Sequence, residues 1–195
     1  PDGRTLATAG DDSTALLWDL TDRAQPQLLG PALTNHTSRV TTVAFAPRGP
    51  SILTTASSDG TVIRWDLTDR AQPQRLGQPL TGQPSAVDSV VFTPDGRALD
   101  ITSSDGTVIR RDVTRPDRPP IGPPRARPSS TVDSLAAVPD GNIAVTASGD
   151  GDVILLDLTD RAEPRHTGPP LTGHRSLVTA AAFSTDGRTM VTASG

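Results

Sequence analysis

The sequence predicts an all-β fold assembled from a repeated four-stranded antiparallel unit, and three observations predict it. First, a segment of about 46 residues recurs: the strand-ending pairs Trp18-Asp19, Trp65-Asp66, Arg111-Asp112 and Leu156-Asp157 follow one another at 47, 46 and 45 residues. Second, short apolar runs alternate with polar positions inside each unit, as expected of half-buried strands in antiparallel sheets. Third, Asp-Gly pairs punctuate the runs and supply the positive φ that tight turns need. A fixed period of this length outranks any local motif, because each repeat buries its faces only against its neighbours. No helical periodicity competes with it.

Each unit reads as four strands. The first is Val40–Phe45, matched by Val87–Phe92, Val132–Val138 and Val178–Phe183. A turn follows at Pro94-Asp95-Gly96, Pro139-Asp140-Gly141 and Thr185-Asp186-Gly187, with Pro1-Asp2-Gly3 opening the chain. The second strand is typified by Ile52-Leu53-Thr54-Thr55. A second turn at Asp59-Gly60 leads into the third strand, which ends at Trp65-Asp66. The polar connector from Leu67 to Gln74 then leads into a fourth run, Leu76 to Leu80. The repeat phases fall at 1–35, 36–82, 83–127, 128–173 and 174–195, forming one array rather than separate domains.

Composition narrows the function classes. The chain has 195 residues and a net charge of −4, too mild for an acidic tail or a nucleic-acid-binding protein. It has no cysteine, which excludes disulfides, thiolate metal sites and cysteine nucleophiles. All 18 basic residues are Arg, Tyr is absent and Glu163 is the single Glu. That bias points to a GC-rich bacterial genome, with an actinobacterium as the obvious source. No apolar stretch approaches the ~20 residues of a membrane span, and no signal peptide opens the chain, so a cytoplasmic setting is expected.

Taken together, the Asp-Gly-Thr-Val strings, the Trp-Asp strand ends and a His about 30 residues upstream resemble the WD40-repeat family of β-propellers. The likeness covers essentially the whole chain. It implies a β-propeller with blades of four antiparallel strands. Because the chain opens within a turn and stops inside a second strand, the resemblance also implies one arc of a larger ring, with about four repeats present. The family's blades carry a hydrogen-bonded tetrad of His, Ser or Thr, Asp and Trp. Carried over by position, one blade has His36, Thr55, Asp59 and Trp65. The preceding blade keeps Thr8, Asp12 and Trp18. The third has Gln83, Ile101, Asp105 and Arg111, so only the Asp survives. The fourth has Pro128, Thr146, Asp150 and Leu156, and the last begins with His174 and Thr192. Blades three and four are expected to be the softer ones.

The residues that could carry chemistry are better explained by the repeat. Ser, His and Asp occur, but His36, His174, Thr55 and Asp59 are tetrad members, and no Gly-x-Ser-x-Gly elbow is present. His166 falls in a Pro- and Gly-flanked connector. Gly149-Asp150-Gly151-Asp152 faintly suggests a calcium loop, but lacks the spacing and terminal Glu such a loop needs. There is no phosphate-cradling Gly-x-x-x-x-Gly-Lys. The basic stretch containing Arg110, Arg111, Arg115, Arg118, Arg125 and Arg127 has no interleaved aromatics for base stacking. Its prolines read as an extended connector. Neither cofactor nor metal is expected.

The resemblance further implies partner contacts at residues flanking the first valine of strand one and preceding the tetrad Asp. These are Arg39 and Thr41, Ala86 and Asp88, Thr131 and Asp133, Leu177 and Thr179, with Asp11, Ser58, Ser104 and Gly149. Arg39, Asp88 and Asp133 are the leading candidates. The expected role is a non-catalytic protein-interaction platform or sensor, part of a larger bacterial signalling protein. One rival is an enzyme using Asp88, Asp133 and Asp100 in a central channel. Another is a decaying duplicate, since residues 19–27 and 66–74 are nearly identical while later tetrads have eroded.

Overall fold

The structure is a computed structural model that describes residues 3–47, 51–117, 132–137, 143–157, 159, 165–184 and 186–195. Side chains of residues 132–135, 137 and 148 lie outside that description. The described residues are all-β, built from antiparallel strand pairs. The chain divides into two compact units, residues 1–87 and 88–195.

The first unit holds two sheets. β1 (Thr5–Ala9), β2 (Ala15–Asp19) and β3 (Gln27–Leu28) pair in chain order. β4 (Val40–Phe45), β5 (Ile52–Ser57), β6 (Val62–Asp66) and β7 (Gln74–Arg75) form the second, again in chain order. One apolar cluster joins them, with Ala15 and Leu17 from β2 packed alongside Leu53, Ile63 and Trp65 from β5 and β6. Within this unit the two repeats therefore cover each other's faces, as the period requires.

In the second unit, β8 (Val87–Phe92) starts at the unit boundary and lines up with β9 (Ala98–Ser103) and β10 (Val108–Asp112). β11 (Val132–Ala137), β12 (Ile143–Ser148), β13 (Val153–Asp157) and β14 (Arg165–His166) form a four-stranded sheet. β15 (Val178–Phe183) and β16 (Met190–Ser194) close the chain as a pair. Val145, Ala147 and Val153 pack with Val178, linking these last two sheets.

Two details depart from the expected pattern. Two of the second strands are buried on both faces rather than one: five of six residues in β5 and all six in β9 are buried, whereas β1 and β16 are largely open. Short Thr and Ser side chains make this possible at the alternate positions, where a long polar residue could not fit. The fourth strand is also shorter and earlier than the apolar run suggested. It consists of Gln74–Arg75, with a separate bridge from Val62 to Leu80. Gly77, at φ 69°, and Pro79, which lacks a backbone donor, interrupt the ladder between them.

The turns show why Asp recurs. Asp59 Oδ1 accepts from the backbone N–H and the hydroxyl of Thr61, at 2.9 and 2.6 Å, while Gly60 takes φ 79°. The strand-ending Asp does the same work at the other end. Asp19, Asp66 and Asp112 each accept from the N–H and hydroxyl of the Thr two residues on. A side-chain acceptor two residues back mimics a backbone turn and fixes the chain's exit from the strand.

Candidate functional site

The full tetrad assembles in the sheet β4–β7. Trp65 Nε1 donates to Thr55 Oγ1 at 3.0 Å, Thr55 Oγ1 lies 2.8 Å from His36 Nε2, and His36 Nδ1 lies 3.1 Å from Asp59 Oδ2. Burial alone would raise the Asp59 pKa. The hydrogen bonds from Thr61, Thr37 and His36 outweigh it and hold the carboxyl below its ordinary 3.8. Asp59 is therefore an acceptor near neutral pH, so His36 carries its proton on Nδ1 and Nε2 accepts from the Thr55 hydroxyl. The result is a one-way relay of donors from Trp65 to Asp59. Every link is also a cross-sheet tie.

The other sets are partial. Trp18 Nε1 donates to Thr8 Oγ1 at 3.1 Å, and Asp12 accepts from Thr14 at its own turn. His174 Nε2 lies 2.7 Å from Thr192 Oγ1. Asp105 and Asp150 serve as turn acceptors for the N–H groups of Thr107 and Asp152. Thr146 is fully buried, and its hydroxyl has no partner among the described residues. At the corresponding positions of the third repeat, Gln83 keeps both amide atoms buried without a hydrogen bond, and burial lowers the Arg111 pKa. Pro128 lies outside the described residues.

Three of the candidate partner positions fall on a repeated irregularity. Between Val40 and Thr42 the register of β4 against β5 slips by one residue, so Thr41 is a bulge. The same slip occurs between Val132 and Ser134 and between Val178 and Ala180. Asp133 and Thr179 are therefore bulge residues too, although the Asp133 side chain lies outside the described residues. Arg39 is exposed, and its Nε donates to Ser58 Oγ at 3.1 Å. Asp88 is half-buried and engaged in interactions of its own. Thr131 lies outside the described residues. His166 sits in the exposed edge strand β14 rather than in a connector.

Sequence reasoning missed one arrangement. Asp100, weighed above as a channel carboxylate, is paired across strands with Arg110, through Nε at 2.7 Å and Nη2 at 2.6 Å. Both side chains are buried. Arg110 belongs to β10, not to a solvated connector. The signal was the hairpin register itself, since Ala7 faces Leu17 and Thr54 faces Arg64 at the same ten-residue separation that puts Asp100 opposite Arg110.

Among the described residues, no group of three or more His, Asp or Glu is placed to hold a metal ion. No described helix is long and apolar enough to cross a membrane.

The family model for the WD domain, G-beta repeat (WD40), matches residues 1–19, 29–66, 74–109 and 163–195. Those segments make up more than half of the chain, and the protein belongs to the WD40-repeat family. Its antiparallel sheets are the blades of that fold. No curated protein matches the chain. WD40 repeats generally mediate protein–protein interaction, as non-catalytic modules.

Proposed function

We propose that this chain is a protein-interaction platform whose contacts are made by side chains at the bulged start of each blade's first strand. The observation that carries this reading is the bulge itself, repeated at Thr41, Asp133 and Thr179. A bulge re-aims a side chain that regular pairing would place elsewhere. Arg39 adds an exposed guanidinium beside the first bulge, and Ser58 limits its freedom before any partner arrives. Arg is among the residues that most often anchor protein interfaces. The tetrad has a supporting role, since Asp59 in the turn beside Ser58 bonds His36 and the Thr37 N–H in the segment that leads to Arg39. In this reading the platform is the sensing part of a larger bacterial signalling protein, and the Arg-only basic composition bears on the bacterial source alone.

The test is site-specific photo-crosslinking in the cell of origin, with the crosslinker at Arg39 or, as a control, at exposed Leu28 in β3. A discrete protein adduct from position 39 alone is the expected result. Equal labelling from both positions, or none from either, would overturn the reading.

A further inference from the structure

Two of the sheets hold complementary halves of one tetrad. In the complete set, Asp59 Oδ1 takes both bonds from Thr61, which leaves Oδ2 for His36 Nδ1 and the Thr37 N–H. Asp12 Oδ1 takes the same two bonds from Thr14, but its Oδ2 accepts none among the described residues. Thr8 accepts from Trp18, and among the described residues its own hydroxyl proton has no imidazole to receive it. In the last sheet the deficit is reversed. His174 Nε2 meets Thr192, and among the described residues His174 Nδ1 has no carboxylate and Thr192 no indole.

The strands that carry the two threonines are near copies. Arg4-Thr5-Leu6-Ala7-Thr8-Ala9 matches Arg188-Thr189-Met190-Val191-Thr192-Ala193 at four of six positions. Among the described residues β1 pairs only with β2, so the edge that β5 offers to β4 is open on β1. An open edge is a template for another strand. In the place of β16, β1 would meet β15 in the register that β5 keeps with β4. Thr8 would face Ala181 as Thr55 faces Val43, and Leu6 would face Phe183 as Leu53 faces Phe45. The order β15–β1–β2–β3 then repeats β4–β5–β6–β7.

Charge and apolar surface agree with this placement. The exposed turn Asp11-Asp12 is acidic, and the segment it would meet, His174-Arg175, is basic. Leu6 is 45% exposed, whereas Leu53 at the same position of the repeat is fully buried. Each copy carries both halves, so a second copy offers what the first lacks. Exchange of equivalent strands trades one ladder for another at low cost. The completed tetrad and the burial of Leu6 are gains beyond that trade.

We propose that copies of this chain join head to tail, with β1 of one copy replacing β16 on β15 of the next. His174 of one copy and Thr8, Asp12 and Trp18 of the other then form a tetrad across the junction. The proposal is independent of the interaction surface at Arg39.

The experiment is sedimentation equilibrium of the 195-residue chain and of two variants, Asp12→Asn and His174→Leu, each alone and mixed. Asn keeps an oxygen for Thr14 but places a donor where His174 needs an acceptor. The parent should associate with rising concentration to twice its mass or more. Each variant alone should associate at least roughly tenfold more weakly, as expected for loss of a buried hydrogen bond. The mixture should recover a one-to-one pair, because the Asp12→Asn chain keeps an intact His174 half and the His174→Leu chain an intact Asp12 half. A folding defect would not be rescued by mixing. A parent that stays monomeric, variants that associate as tightly as the parent, or a mixture no tighter than either variant would each overturn the proposal.

Discussion

Thr55 and Thr146 occupy the same position of the repeat and both are fully buried, yet only Thr55 has hydrogen-bond partners for its hydroxyl. Valine at each position should therefore act in opposite directions. Thr55→Val strands the Trp65 N–H and His36 Nε2 and is expected to cost roughly 2–4 kcal/mol, since each orphaned buried group costs ~1–3 kcal/mol. Thr146→Val removes an orphan and should be neutral or stabilising by up to about 1 kcal/mol. Both tryptophans lie in the first unit, so fluorescence during urea unfolding reports the first substitution, and circular dichroism reports the second. Equal losses at the two positions would contradict this account of the tetrad.

Asp59 links the same network to pH. Its folded pKa lies below 3.8, with the burial cost exceeded by the bonds from Thr61, Thr37 and His36. A depressed carboxylate contributes stability that is fully present above its unfolded pKa and is lost as pH falls through the folded value. The first unit should therefore weaken as the pH falls below 3.8. Asp12, Asp19 and Asp66 are also lowered, by their Thr hydroxyl bonds first of all, and act in the same window. Asp59→Asn should lower the urea midpoint at neutral pH and flatten, without abolishing, its decline in acid. An unchanged acid slope would show that Asp59 is not among the groups responsible.

The repeat, the strand order within sheets and the tetrad positions were legible because each depends on local spacing. An Asp-Gly turn of fixed length sets the hairpin register, and the register places Thr55 opposite the third strand ten residues before Trp65. The Asp100–Arg110 pair is set by the same hairpin register, one position away and directly opposite, but was obscured by Arg111, which made Arg110 look like the start of a basic tract. The bulges at Thr41, Asp133 and Thr179 left no mark in residue type, since a bulge depends on pairing between strands. Nor did Gln74–Arg75 look like a strand. Two polar residues hold that place by backbone bonding alone.

Gly30 is fixed by space as well as by conformation. It has φ 63°, and a Cβ there would lie 2.3 Å from the Ala71 carbonyl oxygen. Gly168 has φ 82° but nothing within 4 Å of such a Cβ. Gly168→Ala should cost only the left-handed backbone penalty, about 1–2 kcal/mol. Gly30→Ala should cost clearly more, because backbone at residue 71 must also move. Urea midpoints of the two variants, compared with the parent, test the order. A smaller loss at residue 30 would mean that the connector around Ala71 yields freely.

The ion pair in β9 and β10 separates what folds a blade from what a blade carries. Asp100→Val alone leaves a buried guanidinium without its counter-ion, a change that typically costs about 3–5 kcal/mol. Adding Arg110→Leu installs the Val–Leu pair that β12 and β13 already hold at this register, between Val145 and Leu155. The double variant should recover to within about 1 kcal/mol of the parent or exceed it. A double-mutant cycle in urea, read by circular dichroism, measures the coupling directly. Recovery would mean that the charges are dispensable for the fold. If the double variant stayed as weak as the single, the pair would be a requirement of this blade's own packing.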